Sequence, residues 1–322
     1  MKQTIAVVYG GYSSEAEVSK KSGLNVIRCL DKNLFDVYGV FLTREKWCVL
    51  TEDGKEYPIN RADFSFTMEG RHVTFDTAFI IIHGDPGENG ILQAYFDMVG
   101  QKYVGSSSLV TSITFDKYAC KRYIAGAGIK MARDRFLRRG EQYDAAAIVT
   151  DLGLPLFVKP NNGGSSFGIT KVKSIEALDE AISAAFDEGD TLIIESAVTG
   201  HEIDCGVYKD SKGVHALPIT EIISENEFFD YEAKYLGKSR EVCPAEVSSE
   251  MSAAVQREAI KIFERLGCQG MVRMDFIVND EGVHFLEVNP NPGMTAESIY
   301  PKMLRAAGIC MTDFLTNLIF EK

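Results

Sequence analysis

Val272-Arg273-Met274-Asp275-Phe276, followed by His284-Phe285-Leu286-Glu287-Val288-Asn289-Pro290-Asn291-Pro292-Gly293-Met294-Thr295, is the stretch from which the rest of the chain is read. Its two β-rich runs flank Asn279-Asp280-Glu281-Gly282, a turn-rich tetrapeptide of the kind that joins hairpin strands. A hairpin there brings Asp275, Glu287 and Asn289 to neighbouring strand ends. Glu287 and Asn289 are two apart and share one face of an extended strand, while Val288 points the other way into a core. Two carboxylates and an amide oxygen, without His or Cys, suit Mg²⁺, which takes one or two carboxylates and leaves its other positions to water and phosphate oxygens. The same residues would also serve as an ordinary polar strand end at the surface of an α/β chain.

The 322 residues leave room for two or three domains, and a 45% hydrophobic, 25% charged composition is that of a globular chain with a large core. A formal charge of -12 excludes nonspecific nucleic-acid binding, which needs Lys and Arg against phosphates, so any anionic ligand must meet a local basic cluster. The seven cysteines form no C-x-x-C pair, and the nearest two, Cys29 and Cys48, stand nineteen positions apart. With no apolar run long enough for a signal peptide or a membrane span, these features lead us to expect a cytoplasmic chain that binds no membrane.

Upstream, Thr4 to Tyr9 reads as a buried strand running through Gly10-Gly11-Tyr12-Ser13-Ser14-Glu15 into a helix that reaches about Leu30. Such a junction presents backbone N–H groups at a sheet's carboxyl edge, or is simply a tight turn with Ser13 as the helix cap. Phe35 to Leu42 is a second strand, and Trp47 to Ile59 and Phe64 to Phe75 are hairpins turning at Asp53-Gly54 and Glu69-Gly70. Thr77 to Ile82 is a third buried strand, followed by a second glycine loop, His83-Gly84-Asp85-Pro86-Gly87-Glu88-Asn89-Gly90, and a helix over Ile91 to Val99. With no second His nearby, His83 is expected to fix the loop and not to bind a metal.

Ser106 to Ala127 carries helix signals, with a domain boundary near residue 105. Leu154 to Pro160 and Ile169 to Val172 are strands around Asn161-Asn162-Gly163-Gly164-Ser165-Ser166-Phe167-Gly168, a loop able to fold over phosphates with its N–H groups and the Ser165 and Ser166 hydroxyls. Gly164-Ser165-Ser166-Phe167-Gly168 also fits the G-x-S-x-G elbow of hydrolases with Ser166 as nucleophile, but that elbow needs a helix next and the pattern predicts a strand. Gly237-Lys238-Ser239 is not a Walker loop, since Glu232 stands where its first glycine belongs. His201-Glu202 does not open a zinc-protease motif, since Cys205 stands where its second His belongs. Helices are expected over Ile175 to Glu188, Ser248 to Leu266 and from about Thr312 to Phe320, and strands over Thr191 to Glu195 and His201 to Tyr208. Glu225 to Glu241, polar and rich in aromatics, is the candidate lid.

Taken in order, Gly10-Gly11-x-Ser13-x-Glu15-x-Glu17-Val18-Ser19, His83-Gly84-x-x-Gly87-Glu88-x-Gly90, Asp116-Lys117, Lys159-Pro160 with the glycine-serine loop, Tyr231-Glu232-Ala233-Lys234-Tyr235, Arg273-x-Asp275 and Glu287-x-Asn289-x-x-Pro292-Gly293-Met294-Thr295 span nearly the whole chain. In these motifs the chain resembles the D-alanine:D-alanine ligases of the ATP-grasp superfamily. The resemblance implies an α/β, three-domain ATP-grasp architecture: an N-terminal parallel-sheet substrate domain at 1-105, a central domain at 106-196, and a C-terminal catalytic domain at 197-322, with ATP between the last two. It implies ATP-dependent joining of two D-alanines through a D-alanyl phosphate, with release of ADP and phosphate, for peptidoglycan precursor synthesis in a cytoplasmic homodimer.

The resemblance also assigns roles. Lys117 and Lys159 would meet the α- and β-phosphates or adenine, Ser165 and Ser166 would lie in the loop over the phosphates, Glu195 and Glu202 would bind adenine and ribose, and Lys234 would approach the transferred phosphate. Asp275, Glu287 and Asn289 would hold two magnesium ions, with manganese as a substitute. Glu15 would bind the first ammonium, Arg273 and the Gly293 N–H would stabilise the oxyanion, and Ser298 would take the second carboxylate. Tyr235 would link the lid to Glu15 and Ser165, and a Tyr there favours the dipeptide product over a depsipeptide. Ala16, Asn89 and Pro290-Asn291 depart from the family pattern and bear on second-substrate choice, where D-lactate or D-serine is the alternative.

Overall fold

The computed structural model describes residues 2–164, 167–224 and 239–321. Its first sheet is built from β1 (Gln3–Gly10), β2 (Phe35–Leu42), β3 (Trp47–Leu50), β4 (Glu56–Asn60), β5 (Ser65–Met68), β6 (Arg71–Val73), β7 (Thr77–Ile80) and β8 (Tyr103–Val104), in the order β6-β5-β4-β3-β2-β1-β7-β8. β1 runs parallel to both β2 and β7 at the centre. Residues Ile5 to Val8 are fully buried, as a parallel strand covered on both faces requires. Helix α1 (Ala16–Cys29) packs so tightly on β1 that a Cβ on Gly23 would lie 2.6 Å from the Cβ of Tyr9. Ser13 does not cap this helix. Glu15 holds the cap position, and the Ser13 hydroxyl instead donates to the His83 carbonyl at 2.8 Å, joining the two glycine loops.

After α2 (Ile91–Val99), α3 (Ser108–Phe115) and α4 (Lys117–Ile124) leave the first sheet. Within the span expected for the central domain, these helices and β9 (Lys130–Met131) pack away from the central sheet. Val110, Cys120, Ile124 and Ile129 share a core with the C-terminal unit, and β9 pairs with its sheet. The central sheet proper starts at β10 (Asp134–Arg138) and continues with β11 (Leu156–Pro160), β12 (Thr170–Val172) and β13 (Thr191–Ser196), all antiparallel in the order β10-β13-β11-β12. Helices α5 (Ala145–Leu152) and α6 (Leu178–Asp187) close a small separate core with it.

The third sheet contains β9, β14 (His201–Asp210), β16 (Thr220–Ser224), β17 (Ser239–Val242), β18 (Met271–Asn279) and β19 (Gly282–Asn289), with β15 (Gly213–Ala216) pairing to β14. Helix α7 (Ser249–Leu266) covers one face, capped by the Ser248 hydroxyl and ended by Gly267 in the left-handed region. Helix α8 (Ile299–Ala306) stands in a stretch for which no element was expected. Pro301 sits in the first helical turn, where a missing N–H costs no hydrogen bond, so it does not break the helix. With α9 (Met311–Phe320), α8 joins the first sheet in one apolar core, in which Tyr9, Phe35 and Ile81 pool with Tyr300, Met303 and Phe314.

Candidate active site

The antiparallel pairing sets the chemistry in rows. Asp275 on β18 lies opposite Asp204 on β14 and opposite Glu287 on β19, and Arg273 lies opposite Asn289. Opposite residues project to the same side of a sheet, so Asp204, Asp275 and Glu287 form an acidic row over three strands, with Arg273 and Asn289 one step along. The intervening Cys205, Met274 and Val288 point into the core beneath α7. A register shift between Asp275 and Phe276 lies just behind the row, a place where a bulge re-aims side chains.

Arg273 clasps Asp275 through both oxygens, at 2.8 and 2.9 Å, and its Nε is 3.2 Å from Asp204. Burial works against the guanidinium charge, but Asp275 and Asp204 outweigh it and hold the proton more firmly than usual. Asp204 is pushed well up, first by burial and then by Asp275. The sequence reading passed over Asp204, although Glu202 and Asp204 alternate on one strand face. The Asn289 amide donates to Asp275 at 3.0 Å. Among the described residues no cluster of three His, Cys, Asp or Glu could hold a metal alone. Two carboxylates and an amide, with Asp275 already engaged, fit a cation completed by water and phosphate oxygens and do not fit a closed protein cage.

Two clefts meet beside this row. The first is lined by Lys117, Lys159, Gly163 and Gly164. Asp116 caps α4 by accepting from the Ala119 N–H at 2.8 Å, and Asn161 accepts from the Tyr118 N–H at 2.9 Å, so the start of the glycine loop is tied to the start of the helix. Lys117 consequently sits over the loop, donating to the Gly163 carbonyl at 2.8 Å and lying 3.4 Å from Glu287. Lys159 pairs with Glu195, which also pairs with Lys121. Burial alone would raise the Glu195 carboxyl, but the two ammonium groups hold it at about 2. Lys121 is 1% exposed and donates to the Ala132 carbonyl at 2.9 Å, with Asp134 at 2.8 Å. The sequence reading missed it, although it stands one helical turn after Lys117. Glu202 lies on β14 opposite Ile222 and Ile277.

The second cleft has one wall from the first domain, with His83 and Glu88, and one from the third, with Arg273, Asn289, Gly293 and Ser298. Glu15, Gly164 and Glu287 line both clefts. A Cβ on Gly293 would stand 2.9 Å from the Ser298 hydroxyl, which accepts from the Thr295 N–H at 3.1 Å. Burial and the neighbouring Glu15 push the Glu88 carboxyl up to about 8, even though the Gly84 N–H donates to it at 2.7 Å. His83 donates through Nδ1 to the Asn291 carbonyl at 3.0 Å, and burial disfavours its charged form. It does fix the loop, but its Nε2 has no hydrogen-bond partner among the described residues.

Ser165, Ser166, Lys234 and Tyr235 lie outside the described residues, as does most of the expected lid at 225–241. The end of that segment is strand β17, from which Glu241 pairs with Lys302 at 2.8 Å. After Gly168 the chain enters β12 and not a helix, so the support that a Ser166 elbow needs is lacking. No single helix among the described residues is long and apolar enough to cross a membrane.

Family models for the D-ala D-ala ligase N-terminus and C-terminus match residues 4–106 and 124–320. A D-alanine–D-alanine ligase of Phocaeicola vulgatus is 45% identical over 323 aligned positions, covering 100% of both chains. The VanG D-Ala:D-Ser ligase from Enterococcus faecalis superposes with a TM-score of 0.90 at 32% identity, covering 99% of each chain. The Bacillus anthracis D-alanine–D-alanine ligase complexed with ATP superposes at 0.80 with 28% identity, over 99% of this chain and 97% of that one.

Proposed function

The chain belongs to the D-alanine–D-alanine ligase family and is an ATP-dependent ligase that joins two D-alanines to D-alanyl-D-alanine, and we propose that the reaction runs where its two clefts meet. One observation carries this reading: Glu15, Gly164 and Glu287 line both the lysine-lined cleft and the arginine-lined cleft, so a γ-phosphate in the first can face a carboxylate in the second. The acceptors D-lactate and D-serine are not favoured, since full-length relatives at 42% to 45% identity are D-alanine–D-alanine ligases.

In this reading the first D-alanine lies with its ammonium toward Glu15, and its carboxylate oxygen attacks the γ-phosphorus. The bond to ADP breaks, leaving D-alanyl phosphate. The amine of the second D-alanine, held by its carboxylate at Ser298, then attacks the acyl carbon. The tetrahedral oxyanion is met by Arg273 and the Gly293 N–H, phosphate leaves, and the amine loses its proton. Lys117, Lys159, Ser165, Ser166 and Lys234 neutralise and position the phosphates, while Glu195 and Glu202 serve the adenosine end. Glu195 does so partly by orienting Lys159, with which it pairs.

Asp275, Glu287 and Asn289 would hold magnesium, which supplies charge neutralisation at the transferred phosphate. In a protein of net charge -12, local cations of this kind are what let ATP and two carboxylates assemble. The segment 225–241, with Tyr235, is the candidate lid that would exclude water from the acyl phosphate. We place the three domains near 1-105, 106-196 and 197-322, with the α3 to β9 segment packed on the third, and propose a cytoplasmic homodimer. Exposed Ile91 and Met98 on one face of α2, with exposed Leu109 on α3, support an interface there.

The test is product analysis by mass after incubation with ATP, Mg²⁺ and a panel of D-amino and D-hydroxy acids. ADP release that needs both magnesium and D-alanine, and is lost in Glu287→Gln, is expected. Wild-type turnover by Glu287→Gln at ordinary magnesium would remove Glu287 from the site.

A further inference from the structure

Asn291 stands between two prolines, Pro290 and Pro292, in the loop that leaves the β19 strand end bearing Glu287 and Asn289. Its side chain is 7% exposed, and its amide donates to the Ile82 carbonyl at 3.1 Å and to the Gly87 carbonyl at 2.9 Å. Those two carbonyls stand at the entry and in the middle of the glycine loop of the first domain. The backbone carbonyl of the same residue accepts from His83, the first residue of that loop, at 3.0 Å. One residue thus takes three hydrogen bonds across the domain boundary, more than two hundred positions away in sequence. A glycine-containing loop has little intrinsic preference for one shape, so bonds at its entry and its middle help set where its side chains point. Those side chains include His83 and Glu88, which form the wall facing Arg273.

The flanking prolines make the arrangement stiff. Each fixes its own φ and restricts the residue before it, so Pro292 holds Asn291 in an extended conformation that presents side chain and carbonyl together. Farther along the same loop, Asn25 donates to the Met294 carbonyl at 2.7 Å and the Met294 N–H donates to Ser22 at 3.1 Å. Those contacts go to helix α1 and leave the glycine loop to Asn291.

We propose that Asn291 is a positioning residue that sets the spacing between the two walls of the amino-acid cleft, and through it the affinity for the D-alanine that binds first. Its bonds fall on Ile82, His83 and Gly87, which do not line the nucleotide cleft, whereas Gly84 and Asp85 of the same loop, which do, are held by Glu88 and by the Tyr12 N–H. Its loss should therefore divide the kinetic constants and not lower them all. The inference rests on the assignment of the second cleft to D-alanine.

The experiment is steady-state kinetics of Asn291→Leu, close in size but without an amide, beside the full-length wild type, with folding checked by circular dichroism and melting. We expect KM for the first D-alanine to rise at least tenfold, with KM for ATP and kcat at saturating D-alanine within about twofold. Asn291→Ser, which adds no bulk, carries the same comparison if the leucine variant does not fold, with the same split at smaller size. An unchanged KM for D-alanine, or KM for ATP and D-alanine rising together, would overturn the proposal and leave Asn291 a structural residue only. A wild-type enzyme that D-alanine does not saturate would instead overturn the cleft assignment itself.

Discussion

The first and third domains meet through an apolar core, whereas the central sheet is fastened to helix α4, which packs on the third domain, largely by charge. At the first junction Tyr9, Phe35 and Ile81 share one cluster with Tyr300, Met303, Phe314 and Leu315, and polar side chains such as Asn25 and Asn291 lock the loops above it. At the second, Lys121 on α4 bridges Asp134 and Glu195 of the central sheet, Arg122 joins Asp134 at 2.7 Å, and Tyr118 stacks on Phe136 at 4.8 Å. The central sheet keeps its own apolar core. Apolar packing holds two bodies at one separation, because a gap of a fraction of an ångström already forfeits much of the dispersion energy. Charge acts over a longer reach and survives small displacements. The difference teaches that the cleft of Arg273 and Ser298 stands on the apolar junction, while the glycine loop of Gly163 and Gly164 belongs to the sheet joined through charge.

Removing the cation at the polar junction tests this most severely. Lys121→Met leaves Asp134 and Glu195 short of a partner in the interior, and breaking a buried pair in this way costs about 3–5 kcal/mol. The single tryptophan, Trp47, lies in the first sheet, so its fluorescence follows the apolar body while far-ultraviolet circular dichroism follows the whole chain. In urea the circular dichroism transition of the variant should move ahead of the fluorescence transition. Coincident transitions would mean that the central domain is not a separable unit.

Met303→Ala at the apolar junction, where Met303 is fully buried, should cost about 3 kcal/mol through lost burial and a residual cavity. Here both probes should shift together, and a split between them would contradict the single shared core.

Acid should act more gently and only on the polar junction, since a protonated carboxyl can still hydrogen-bond. The Glu195 carboxyl is lowered in the folded protein from 4.5 to about 2, burial being outweighed by Lys159 and Lys121. Its contribution is therefore complete above about pH 4.5 and is lost as pH falls toward 2. Hydrogen exchange across that window should accelerate in 134–196 before it accelerates in the first sheet. Uniform acceleration would break the contrast between the junctions.

The smallest effect concerns a single hydroxyl. Tyr300 donates to the Val207 carbonyl at 3.1 Å within the shared core, and Tyr300→Phe should cost about 1 kcal/mol by equilibrium denaturation. A neutral result would show that packing alone holds α8 to β14.

The hairpin that carries Asp275, Glu287 and Asn289 was legible because strand alternation and a turn tetrapeptide are local signals. So were the two glycine loops and the strand, loop and strand around Gly163 and Gly164. Helix α8 was not, because Pro301 masks a helix start that only its placement in the first turn permits. That α3 and α4 pack on the third sheet was not legible because their apolar faces do not declare which sheet they cover. Lys121 carried a signal, one turn from Lys117, but a lysine on a helix is ordinarily solvated, and nothing local marks this one as buried.

The sequence by itself determined the family and the reaction, since these reside in short motifs whose order along the chain is visible directly. Only the tertiary structure decided that Asp204 joins the acidic row, that Glu195 is shared by two lysines, and that Asn291 spans from the β18–β19 hairpin to the loop of His83. Each of those relations depends on strand register or on packing between residues distant in sequence. Register and packing are set by the burial of the whole chain, so no window of the sequence contains them.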